Sequence, residues 1–196
     1  MMPVAKARVL CLHGYAQNGD FFRQRTGALR KALKSVVDFH FLDAPFPATA
    51  EFLGDVPEDR GAALGWFNVG ETTPGSRPAT SAQYVGVEEA LQCVSRCVRD
   101  HGPFDGILGF SQGATIAAFC CLYPQAWWDS SAPAPFSWAI LFSAFLPRDP
   151  HWALEGGRVP PTLRTFHCFG TSALGLSDVL PCSIIFRLTL DPCLTR

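Results

Sequence analysis

The chain carries no excess of charge of either sign: 16 Lys and Arg stand against 17 Asp and Glu, a formal net charge of −1. That balance removes the electrostatic ground for a nucleic acid or an anionic membrane surface as partner. Long apolar runs are missing as well. The opening stretch MMPVAKARVLCLHG breaks its hydrophobic segment too early for a secretory signal or a membrane span. A protein of the cytoplasm is expected, with the nucleus also open to it. Histidine is scarce, at five in 196 residues. No thiol or histidine pair stands at a spacing that would complete a metal site with Cys93 and Cys97. The eight cysteines fall mostly inside apolar segments and read as reduced core residues. Neither a metal nor a cofactor is expected.

What is present is the composition of a globular domain, 48% hydrophobic and 17% charged. A chain of this length is most simply one domain, burying ~70% of its unfolded surface. Residues 7–12 (ARVLCL) form a short apolar run ending at His13-Gly14, as a buried parallel strand does. Residues 20–36 have the spacing of an amphipathic helix, and 37–42 (VDFHFL) alternate as a strand. Residues 46–82 are rich in Pro, Gly, Thr and Ser, with Trp66-Phe67 in the middle, and read as a long loop, functional or partly disordered. A helix is predicted over 84–99, a strand over 104–110, a helix over 114–122, and strands over 137–145 and 165–169. Strands alternating with helices predict an α/β fold with a mostly parallel, doubly covered sheet.

The sequence GFSQG at 109–113 joins the strand over 104–110 to the helix that follows. A nucleophilic serine on a sharp strand-to-helix turn needs this context, because the strained turn leaves no room for side chains two residues either side. Gly109 and Gly113 supply the clearance, making Ser111 the candidate nucleophile. The alternative is a glycine-rich bend with a surface serine. Acyl transfer also needs two backbone N–H donors for the developing oxyanion. The residue after the nucleophile, Gln112, is one candidate. The loop LHGYAQNG (12–19) at the end of the first strand places Tyr15 as the other, and His13 there shapes the loop.

LHGYAQNG, TGALRKAL (26–33), GPFDGILGFSQGA (102–114) and FSAFLPR (142–148) together resemble the FSH-type serine hydrolases. The resemblance runs from about Val9 to Gly170, leaving 171–196 as a divergent tail. It implies an α/β-hydrolase fold that cleaves a small-molecule carboxylic ester or thioester without a cofactor. Ser111 then carries over as nucleophile, with Tyr15 and Gln112 as oxyanion donors. Trp66 and Phe67 match an aromatic stretch near the family's acyl pocket, and equally suit ordinary packing.

The resemblance further implies an acid in the stretch GTSALGLSDVLP (170–181), where Asp178 fits the end of the family pattern; Asp191, next to Pro192, is the lesser candidate. In this fold the triad runs Ser, acid, then His. After Ser111 the only histidines are His151 and His167, and neither follows Asp178. The helix, strand and His-bearing loop with which the family continues have no counterpart in SIIFRLTLDPCLTR. Two expectations follow. One is a serine hydrolase acting on short- or medium-chain acyl esters or thioesters. The other is a catalytically silent form that binds a ligand or partner, and a homodimer is left open.

Overall fold

The computed structural model describes residues 5–48, 61–70, 83–129, 132, 135–145, 147–152 and 163–168. Five parallel strands form its centre: β1 (Ala7–Leu12), β2 (Val37–Leu42), β7 (Gly106–Phe110), β8 (Trp138–Phe142) and β9 (Arg164–Cys168). They lie in the order β2-β1-β7-β8-β9, so the strand leading into Ser111 is the middle one. Parallel neighbours need crossovers, and the helices supply them. The helices are α1 (Gly19–Arg25), α2 (Gly27–Leu33), α3 (Val87–His101) and α4 (Gln112–Leu122).

Alternation along each strand sorts its side chains between two faces. Leu10 and Leu12 join Ile107, Ala139 and Leu141 in a core built with α3 and α4. Val9, Cys11 and Leu108 face the other way, against Phe22 of α1 and the partly buried Phe39 and Phe41 of β2. Every residue of α4 is buried, which explains why it reads as apolar on all sides. Among the described cysteines, six are free thiols. Burial pushes the Cys11 and Cys120 thiols well up and that of Cys121 to about 12, so they stay protonated and pack as apolar groups.

β1 and β2 fall on the segments expected from sequence, while other elements differ for identifiable reasons. The helix expected over 20–36 is two helices. Thr26 ends the first by bonding its hydroxyl back to the carbonyls of Phe22 and Arg23, at 2.8 and 3.2 Å. The region 46–82 is not all loop. It contributes β3 (Phe46–Pro47) paired with β4 (Leu64–Gly65), and β5 (Asn68–Val69) paired with β6 (Tyr84–Val85). Tyr84 is therefore strand, and α3 starts only after Gly86, at φ 94. Among the described residues, no helix is long and apolar enough to cross a membrane.

The far ends of β1 and β7 are tied together before either reaches the site. Arg8 donates its backbone N–H to Asp105 Oδ2 at 2.7 Å, and Asp105 returns its own N–H to the Arg8 carbonyl at 2.8 Å. The Arg8 guanidinium donates to the carbonyls of His101 and Pro103, at 2.7 and 2.9 Å. A cation thereby meets the orphan carbonyls at the end of α3.

Candidate active site

Backbone strain gathers at one edge of the sheet. The non-glycine residues with positive φ among those described are Ala16 (58°), Ser111 (52°) and Ser143 (53°). They follow the C-terminal ends of β1, β7 and β8, three adjacent strands. Left-handed conformations at residues with a Cβ cost of order 1–3 kcal/mol and collect at functional sites. Crevices outside the carboxyl ends of parallel strands are also where open α/β sheets bind ligands.

Ser111 is held at φ 52, ψ −117, as the residue that caps α4. Its N–H is donated to the Phe142 carbonyl at 2.8 Å, and its carbonyl accepts from Thr115 N at 3.1 Å. The turn is tight because its glycines allow it. A Cβ on Gly109 would stand 2.5 Å from Ala114 Cα, and one on Gly113 would strike the backbone carbonyls of Leu12 and His13. The serine turn and the loop after β1 are thus in backbone contact. A Cβ on Gly14 would likewise lie 2.8 Å from the Phe110 ring.

Tyr15 and Gln112 flank a common neighbour. A Cβ on Gly65 would come within 3.0 Å of the Tyr15 ring and 3.4 Å of Gln112 Oε1. The Gln112 side chain is 2% exposed, and both ends of its amide are used. Oε1 accepts from Trp66 N at 2.7 Å, and Nε2 donates to the Phe67 carbonyl at 2.7 Å. Trp66 in turn donates its indole N–H to the His13 carbonyl at 2.8 Å. Trp66 and Phe67 are wholly buried, with Phe67 stacked on Tyr84 at 4.6 Å. Their visible contribution is to hold the turn and the β1 loop together from behind. Sequence spacing did not reveal these roles for Gln112 and Trp66, because the contacts span more than 40 positions.

Other fixing residues escaped the sequence reading. Gln17 Oε1 accepts from Gly14 N at 3.0 Å, and Asn18 caps α1 by accepting from Phe21 N at 2.8 Å. The signal for Asn18 was present, since Asn before an acidic first turn is a common helix start. Asp149 is a buried carboxylate that accepts from Tyr84 N at 2.7 Å and from His151 N at 2.9 Å. Nothing local in the sequence marked it.

All five histidines are described, and none is hydrogen-bonded to the Ser111 hydroxyl. His13 accepts at Nε2 from Ala44 N at 3.0 Å and therefore carries its proton on Nδ1, donating to the Gly14 carbonyl at 2.8 Å. Burial holds this imidazole below its ordinary pKa, outweighing the Gly14 carbonyl and the charge of Asp43. His151 is largely exposed and reaches Glu88, Nε2 to Oε1 3.7 Å. His167 is in register with Leu141, which is in register with Gly109. Its backbone therefore lies two strands away from the serine strand, about 10 Å. Asp178, expected as the acid, and Asp191 lie outside the described residues.

Residues 1–173 match the model of the FSH1 serine hydrolase family. The chain belongs to that family. It is 37% identical over 172 residues to the human esterase OVCA2, covering 83% of this chain and 74% of that protein. To the Danio rerio esterase OVCA2 it is 35% identical over 154 residues, covering 74% and 67%. Among solved structures, esterase PE8 superposes with a TM-score of 0.55 at 23% identity, covering 84% of this chain and 69% of that one. The Bacillus cereus carboxylesterase gives 0.51 at 16%, covering 85% and 65%. These two likenesses establish the α/β-hydrolase fold. As a member of the FSH1 family this chain is a serine hydrolase of esterase type.

Proposed function

We propose that this chain hydrolyses carboxylic esters or thioesters of short- or medium-chain acids through an acyl-Ser111 intermediate. The observation that carries the reading is the left-handed serine at the tip of the central strand, in backbone contact with the loop that bears Tyr15. Ser111 Oγ attacks the acyl carbon and gives up its proton. The carbonyl oxygen takes the negative charge, and the backbone N–H groups of Gln112 and Tyr15 stabilise it. Collapse breaks the bond to the leaving group, which departs as alcohol or thiol with the proton that Ser111 gave up. A water then attacks the acyl carbon, releasing the acid and returning a proton to Ser111 Oγ. Asp178 is the acid in this reading, while Trp66 and Phe67 back the acyl pocket.

One observation favours a second reading. His13 is bonded to Ala44 N and the Gly14 carbonyl, His40 lies against His101, His151 reaches Glu88 and His167 stands two strands from the serine strand. That leaves the proton of Ser111 without an evident imidazole among the described residues. In a serine protease, losing the triad histidine costs about as much as losing the whole triad, ~10⁶ in turnover. A chain in that state keeps the pocket and acts by binding a ligand or partner. A labelled fluorophosphonate separates the two, because it reacts with an activated serine and not merely an exposed one. Stoichiometric labelling abolished by Ser111→Ala supports the hydrolase. A folded chain labelled no better than Ser111→Ala supports the silent form.

A further inference from the structure

A second concave site lies between α3 and the turn that follows α4. Gln92, Ser95, Arg96 and Arg99 fall on one face of α3, at successive three- and four-residue steps. Gln125 and Trp128, from the short helical turn Pro124–Ala126 and its continuation, form the facing wall. The groove is open to solvent and offers about 360 Å³. α4 runs from the serine turn to this wall, so about 16 Å of helix separates the two sites.

Three features make this more than a surface dip. The first is charge. Neither Arg96 nor Arg99 has a carboxylate partner among the described residues, although the groove brings the two side by side. Arg96 lies beside the Cys93 thiol, a neutral group whose own pKa burial raises. The second is pre-organisation. Arg99 Nη1 donates to the Oγ of Ser95 at 2.8 Å, and Ser95 is 4% exposed. That contact fixes one guanidinium at the groove wall. The third is a rigid aromatic wall. Trp127 donates its indole N–H to the Cys120 carbonyl at 3.0 Å and stacks on Phe136 at 5.9 Å, anchoring the turn that presents Trp128.

We propose that this groove binds a phosphorylated small molecule that carries a planar ring, in the manner of a nucleotide. Two unneutralised guanidiniums match the charge of a phosphate monoester, about −1.5 to −2 at neutral pH, and offer paired donors to its oxygens. A simple inorganic anion would engage the guanidiniums and leave the facing wall of Gln125 and Trp128 unused. Trp128, packed at 5.5 Å against Trp127, supplies aromatic surface beside which a planar ring can lie, and the amides of Gln92 and Gln125 supply both donors and acceptors for its edge. The site is independent of the acyl-Ser111 chemistry and stands or falls separately.

Calorimetric titration of the full chain with ADP, adenosine and inorganic phosphate at low salt tests it. ADP is expected to bind one to one and to quench tryptophan fluorescence. Adenosine and phosphate are each expected to bind at least about tenfold more weakly. Arg96→Gln/Arg99→Gln is expected to weaken ADP by at least about tenfold. Arg96→Gln alone leaves the Ser95–Arg99 contact in place and is expected to weaken it severalfold, which keeps the test sound if the double variant folds poorly. Absence of saturable ADP binding overturns the proposal. So does unchanged affinity in the variants, or phosphate binding as tightly as ADP.

Discussion

Trp66 donates its backbone N–H to the side-chain oxygen of Gln112 at 2.7 Å, across 46 positions of sequence. The same amide donates to the Phe67 carbonyl at 2.7 Å, so one side chain closes the space between the serine turn and the buried aromatic pair. Gln112→Leu keeps the backbone N–H and much of the volume but strips both bonds. It leaves two buried backbone groups without partners, at about 1–3 kcal/mol each. Urea unfolding is expected to show a loss of about 2–5 kcal/mol. A loss below about 1 kcal/mol means that the pair is held by other contacts.

Ser111 carries a Cβ at φ 52, where glycine has no steric penalty. Ser111→Gly and Ser111→Ala both remove the hydroxyl, yet only the first relaxes the backbone. Thermal and urea unfolding are expected to rank the glycine variant about 1 kcal/mol above the alanine variant. Equal stabilities would remove backbone strain as a property of this turn.

Gly113 faces the opposite situation, because the obstacle there is other backbone. A methyl group at this position would meet the carbonyls of Leu12 and His13. Gly113→Ala is expected to cost about 3 kcal/mol or more, by forcing α4 away from β1. The measurement is soluble yield together with the urea midpoint. A variant as stable as the parent contradicts the close approach.

His13, His40 and His167 all hold their protons less firmly in the folded chain, each chiefly through burial, with His101 and Arg8 adding to the effect at His40. Unfolded, each titrates near pH 6.5. Above about pH 7 both states are neutral and nothing is gained or lost. As pH falls below about 6.5 the unfolded chain takes up protons that the folded chain refuses, so stability drops. Each histidine steepens that fall by up to about 1.4 kcal/mol per pH unit. Urea unfolding from pH 7.5 to 5.5 is expected to show declining stability, and a flat profile contradicts the neutral, doubly bonded His13.

The strands and the serine turn were legible in sequence because their signals are local. Apolar runs over 7–12 and alternation over 37–42 coincide with β1 and β2, and GFSQG marks a turn whose serine has positive φ. Thr26 was harder to read, since a back-bonding hydroxyl leaves the apolar spacing of 20–36 nearly intact while splitting the helix. Tyr84 opens an apolar helical pattern yet pairs with Val69, because a partner strand overrides local spacing. The grip of Gln112 on Trp66, and of Asp149 on Tyr84, joins residues 46 and 65 positions apart, and no spacing rule reaches that far. Trp66 and Phe67 were singled out as aromatic. Their complete burial follows from tertiary packing alone.

The reciprocal bonds between Arg8 and Asp105 lie at the end of the sheet remote from Ser111. They help fix how far β1 and β7 are slid past each other, and so how the loop after β1 meets the turn after β7. Alignment of the two loops is decided where nothing is bound. The two strand tips that carry the strained turns are thus held in step from their opposite ends.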